Sequence, residues 1–108
     1  MHLIELASGT VNTTDAAVIT VPAGEHWEAR QITLEQDSTG VAKVWRIGRG
    51  TTATAANVKQ SRDISAGRYN EVIHIMFGLA AAQTLNMASS AGANELKYTV
   101  MGYKHKIT

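Results

Sequence analysis

The chain has 108 residues, of which 44% are hydrophobic and 18% charged, and its formal net charge is +1. That length holds one domain with one modest core. The absence of cysteine excludes a disulfide scaffold, a thiolate zinc site and a cysteine nucleophile.

Residues 2–7 read as a first strand, and residues 1–15 together are a candidate N-terminal contact arm. An acid, Glu5, stands where a signal peptide would carry its apolar run, and no stretch of 18 apolar residues offers a membrane span. Residues 16–21 form the next strand, and Pro22-Ala23-Gly24 follows it. Proline presets φ near −65° and lacks an N–H, while glycine accepts the positive φ of a tight turn.

Residues 26–35 form a strand with a fault in it. Trp27 and Ala29 share one parity, whereas Ile32 and Leu34 share the other. One residue of phase is lost near Arg30-Gln31, which calls for a β-bulge or a strand crossing between sheets. In 41–47, Val41, Lys43, Trp45 and Ile47 share a face, with the Lys43 methylenes expected along it and the ammonium in water. The thin run Thr51-Thr52-Ala53-Thr54-Ala55-Ala56 reads as the longest loop.

A short strand near 58–64 follows, then 70–77 with Ile73, Ile75 and Phe77 alternating against Val72, His74 and Met76. Residues 78–88 have the composition of a helix, yet Leu85 and Met87 alternate and only Gly78 precedes as a cap, so a turn and then a strand at 83–88 is expected. Residues 95–103 close the chain with Leu96, Tyr98 and Val100 on one face.

The expected fold is all-β: a single-domain antiparallel β-sandwich of about eight strands, jelly-roll-like. Its expected core is Ile19, Val21, Trp27, Ile32, Leu34, Val44, Trp45, Ile47, Ile73, Ile75, Phe77, Leu85, Met87, Leu96, Tyr98 and Val100. Sixteen of the hydrophobic residues are alanine, so large core side chains are scarce. A self-sufficient monomer and a sandwich supported by neighbouring subunits both fit. Charge is uneven: residues 1–42 carry six acids and one base, residues 43–68 six bases and one acid. The split either orients this chain against a partner or disappears when strands interleave in space.

The order Ile-Thr-Val-Pro-Ala-Gly, Trp-Glu-Ala-Arg-Gln-Ile-Thr-Leu, then Val-Ala-Lys-Val-Trp-Arg-Ile resembles small β-sandwich proteins of tailed-phage virions. These include head decoration (cement) proteins and related head or tail accessory modules. Leu79-Ala80-Ala81-Ala82-Gln83-Thr84-Leu85, Ala88 to Glu95 and Tyr98-Thr99-Val100-Met101-Gly102-Tyr103 are similar to the C-terminal half of that pattern, which carries glycine where Ala82 stands. The resemblance covers about residues 16–103. It implies a non-enzymatic protein on the outer surface of the capsid, made in the host cytoplasm, trimeric and bound to the major capsid protein. A tail, fibre or neck module that binds a receptor or carbohydrate is the alternative, with a cupin-like metal protein as a more distant one.

No cofactor, metal, nucleic acid or membrane is expected as a partner. His26 and Glu28 share one strand face, but the His-x-His pair of cupins is absent and a metal needs several convergent ligands. No Gly-x-Ser-x-Gly is present, and acid pairs such as Glu25/Glu28 and Glu35/Asp37 suit solvated faces and turns. Lys43, Arg46, Arg49, Lys59, Arg62 and Arg68 are basic, but a pI near 8.1 and six aromatics, three of them at core parity, make a weak nucleic-acid surface. The expected partner contacts are the polar residues of two segments: Thr10, Asn12, Thr13 and Thr14, then Arg49, Thr51, Thr52, Thr54, Asn57 and Arg62.

Overall fold

The computed structural model describes residues 2–49 and 58–107, with the backbone alone for Val58 and Lys59. Eight strands follow one another: β1 (Ile4–Thr10), β2 (Ala16–Thr20), β3 (Glu25–Gln36), β4 (Lys43–Arg49), β5 (Val58–Ile64), β6 (Tyr69–Leu79), β7 (Thr84–Ser89) and β8 (Lys97–Lys106). They make two four-stranded sheets, β1-β8-β3-β6 and β2-β7-β4-β5. Every pairing is antiparallel.

The order has a simple origin. β1 pairs with β8, β2 with β7, β3 with β6 and β4 with β5. The chain is therefore one long hairpin, doubled back at β4–β5 and rolled up so that β8 also meets β3 and β7 meets β4. This is the jelly-roll sandwich. The roll sends alternate loops to opposite ends. Segments 11–15, 37–42, 65–68 and 90–96 gather at an upper rim, whereas 21–24, 80–83 and the last strand's end lie at a lower rim.

The phase fault in β3 is a bulge, and it continues into its neighbours. Between Ala29 and Gln31, β3 advances two residues, β8 one (Gly102 to Met101) and β6 three (Phe77 to His74). β1 carries its own extra residue, Leu6, between Glu5 and Ala7. An extra residue bends a strand and raises its twist. The first sheet thus turns along a diagonal of bulges, and both halves of β3, although of opposite parity, aim apolar residues inward: Trp27 and Ala29 before the fault, Ile32 and Leu34 after it.

The core fills the space between the sheets, with Trp45, Ile32, Leu34, Ile47, Leu79, Leu85 and Leu96 fully enclosed. Two residues expected there are only half-buried. Val44 has the parity opposite to Trp45 and so faces outward, and Phe77 packs against the edge of the core. Val11, Ala29, Ile64, Leu79 and Ala88 are buried beyond the expected set. The 83–88 segment is a strand, not a helix. β1 begins and ends later than expected, at Ile4 and Thr10, and β4 begins at Lys43, which leaves Val41 exposed in the preceding turn. At the lower rim, Gly24 takes φ 78 and Glu25 N donates to Pro22 O at 3.3 Å, so the proline-glycine turn closes as its residues dictate.

Candidate functional site

The upper rim is organised around one buried cation. Lys43 lies inside the sandwich, where its parity puts it, but its ammonium does not reach water: the side chain is 0% exposed. This overturns the expectation of a solvated ammonium. A charge withdrawn from water must be paired and hydrogen-bonded, and Lys43 Nζ donates to Glu95 Oε1 at 2.9 Å and also to Gln36 Oε1. Gln36, itself buried, donates through Nε2 to Gly67 O at 2.8 Å and to Ser65 O at 3.2 Å. Glu95 Oε1 accepts from Val41 N at 2.9 Å, and that bond with the Lys43 contact holds its carboxyl below the usual range.

One side-chain network thereby ties the β3–β4, β5–β6 and β7–β8 loops. Two glycines make room for it. A Cβ on Gly40 would lie 2.1 Å from Gln36 Cδ, and one on Gly92 would lie 2.1 Å from Glu95 Oε1. Any other residue at either position would drive into the plug.

The surface around this rim is also ordered. Asp37 caps its own turn: Thr39 N donates to Asp37 Oδ1 at 2.9 Å and Thr39 Oγ1 at 2.6 Å, which lowers the Asp37 pKa. A cleft of about 250 Å³ opens beside it, lined by Glu35, Asp37, Arg68, Asn70 and Lys97 among others. Tyr69 donates its hydroxyl to Glu71 Oε1, and Arg62 Nε donates to Glu71 Oε2 at 3.2 Å. Burial and that carboxylate push the Tyr69 phenol up to about 12, while the Tyr69 hydroxyl and Arg62 lower Glu71.

The expected contact residues do not form one patch. Thr10, Asn12, Thr13 and Thr14 are exposed at the upper rim. Thr10 Oγ1 donates to Asn94 Oδ1 at 3.0 Å, Asn12 Oδ1 accepts from Thr13 N at 2.9 Å, and the Asn12 carbonyl accepts from Ser89 N at 2.9 Å. The segment following β1 is therefore stitched to β7 and the 90–96 loop. Arg49 lies at the opposite end, where it donates to Gly78 O at 3.0 Å. Arg62 is held by Glu71 and Ser61 O on β5. Thr51, Thr52, Thr54 and Asn57 lie outside the described residues.

The charge split survives folding in part. β4 and β5 together carry five bases (Lys43, Arg46, Arg49, Lys59, Arg62) against one acid, Asp63, on one edge of the second sheet. Lys43 is neutralised internally by Glu95 and Arg62 by Glu71. Sequence reading missed the plug. The signal available was Lys43 at core parity, which demanded an acid, but Glu95 stands 52 residues away. Among the described residues, no group of three or more His, Asp or Glu converges as a metal centre.

No protein-family model matches the chain, and no curated protein does. Two solved structures similar in fold are each described as a pentameric capsid protein isolated from metagenomic phage sequences. Both are 16% identical; they cover 94% of this chain, with TM-scores of 0.43 and 0.44. A structure of infectious bursal disease virus Gt strain matches at 8% identity over 95% of this chain, with a TM-score of 0.35. The chain spans 63%, 61% and 32% of those three chains.

Proposed function

We propose that this chain is a non-enzymatic structural protein of a phage particle, a head decoration protein that assembles as a trimer on the outer surface of the shell and stabilises it by binding the major capsid protein. Its resemblance over residues 16–103 suggests the class. The observation that carries the reading is the Lys43 plug, which holds three of the four upper-rim loops in one conformation. A cement acts through binding free energy alone, and pre-ordered contact loops avoid an ordering cost on association. The hydroxyl-rich segment Thr10, Asn12, Thr13 and Thr14 is presented beside that plug, stitched to Ser89 and Asn94. The basic β4–β5 edge adds electrostatic orientation toward an acidic partner surface.

The test is light scattering on the purified chain followed by co-sedimentation with phage heads. A trimer that sediments with heads supports the proposal. The double change Thr13→Ala and Thr14→Ala weakens co-sedimentation if the upper rim is the contact, and Thr51→Ala with Thr52→Ala weakens it if the other segment is. A chain that stays in the supernatant contradicts the proposal. One observation favours the tail-module reading instead. The cleft beside Asp37 offers interleaved donors and acceptors (Arg68, Lys97, Asn70, Glu35) of the kind that hydroxyl-rich ligands use. Binding of the chain to host-surface glycans, lost with Asn70→Ala, would select that reading.

A further inference from the structure

The Lys43 plug brings together the three groups that amide formation needs: an amine, a carboxamide and a carboxylate. Lys43 Nζ donates to Gln36 Oε1 and to Glu95 Oε1, so nucleophile, electrophile and base meet at one nitrogen. The lysine side chain is 0% exposed and Gln36 is 2% exposed, while Glu95 alone of the three is partly open to water. The carboxamide is held from behind. Its Nε2 donates to both Gly67 O and Ser65 O, which turns Oε1 toward the lysine. Gly40 lies close against Gln36 Cδ, where a Cβ has no room. Salt-bridging Lys43 needs only Glu95; the anchored carboxamide on the same nitrogen is what goes beyond an ion pair.

We propose that Lys43 and Gln36 join after folding in an intramolecular isopeptide bond, with Glu95 as the proton carrier. Cδ lies one C=O bond, about 1.2 Å, beyond Oε1. A small rotation of the carboxamide therefore presents Cδ to Nζ at a near-attack separation of roughly 3–3.5 Å. Glu95 Oε1 takes a proton from the ammonium, and the freed amine attacks Gln36 Cδ. The adduct re-forms its C=O and breaks the Cδ–Nε2 bond, and Nε2 leaves with the second proton that the attacking nitrogen gives up. Protonated Glu95 then returns its proton to the released ammonia, which exits on the side where the glutamate meets water. An ammonium and a neutral carboxamide thus become a neutral secondary amide and an ammonium ion, with no oxidant or other reactant. Groups held in this way react with effective molarities of about 10⁵–10⁸ M, which is why a pair inert in solution can combine here. The product keeps an N–H as donor to Glu95, so the three loops stay tied. The bond closes a covalent ring across the β3–β4 turn in a chain that has no cysteine. It forms within one chain and stands independently of the proposed capsid role.

The test is the intact mass of the purified full chain, measured in denaturant after prolonged incubation of the folded protein at neutral pH. The expected wild-type mass is lower than the sequence mass by one ammonia. Trypsin then fails to cut after Lys43, and fragmentation of the peptide spanning residues 31–46 places the loss in a ring between Gln36 and Lys43. Lys43→Arg restores the full sequence mass and Glu95→Gln slows the appearance of the bond by about 100-fold or more, the scale of a lost proton-transfer group. A wild-type chain that keeps its full mass, ammonia loss that survives Lys43→Arg, loss of water in place of ammonia, or equally fast linkage in Glu95→Gln would overturn the proposal. The wild-type mass stands even if a variant folds poorly.

Discussion

Lys43 Nζ meets Glu95 Oε1 at 2.9 Å across 52 residues of sequence, with the lysine fully enclosed and the glutamate partly open to water. The pair has consequences for acid stability. The Glu95 pKa is held below its ordinary value of 4.5 by the Val41 N–H and by Lys43. A depressed carboxylate contributes stability that is complete above its unfolded pKa and is lost as pH falls through the lower native value. Thermal unfolding of the wild type should therefore decline below about pH 4.5. Glu95→Gln should unfold at lower temperature near neutrality and show a flatter acid limb. Parallel acid limbs in the two proteins would remove Glu95 from the account.

Replacing Lys43 by methionine keeps the volume but leaves Gln36 Oε1 buried without its donor. An unsatisfied buried acceptor costs about 1–3 kcal/mol, so Lys43→Met should lower the unfolding free energy measured in urea by that amount. The same variant should speed amide exchange at Val41 and Gly67, because both loops lose their tie.

The turn before β7 holds Ala82 at φ 68, a left-handed conformation in which a side chain is strained. Its backbone is committed there, since Ala82 N donates to Val21 O at 2.9 Å. Ala82→Gly relieves the strain at the cost of unfolded-state entropy, and a net gain on the order of 1 kcal/mol is expected from the balance. Equilibrium denaturation checks it; a loss of stability would mean the strain is absent.

Gly102 and Gly67 should separate two ways in which glycine is required. A Cβ on Gly102 would fall 1.9 Å from Glu28 O, a backbone atom between paired strands at the bulge line. Gly67 has φ +88 but open space around it. Gly67→Ala should cost about 1–3 kcal/mol through backbone strain alone. Gly102→Ala should cost more than that, because β3 or β8 must move. Paired chemical denaturation curves measure the difference.

The Tyr69 phenol gives an alkaline counterpart. Its pKa is raised to about 12, so the stability tied to its neutral form is complete below pH 10 and disappears as pH rises toward 12. Ultraviolet titration should show a tyrosine component ionising near pH 12 that shrinks in Tyr69→Phe, alongside Tyr98, whose phenol burial also raises.

Much of the fold was legible because its information is local. Alternation marks a strand wherever one face is buried, and it located β3, β6, β7 and β8 and even the fault at Arg30. It failed where burial does not follow alternation. Val11 is buried in a rim segment with no period of its own, and Ala88 has the parity opposite to Leu85 and Met87 yet is also buried. The buried plug was less legible, because it joins residues that only the roll brings together, Lys43 and Glu95, 52 positions apart. Composition showed the charge imbalance, but not that two of the five β4–β5 bases are neutralised within the chain.

The proposed role would make this sandwich a repeated part of a virus particle. The most direct measurement is its copy number in purified particles made from the genome that encodes it, by quantitative mass spectrometry against the major capsid protein. A decoration protein should be present in high copy number, in fixed ratio to the shell subunit, and retained in tail-free heads. Absence from the particles, or a handful of copies that leave with the tails, would contradict it.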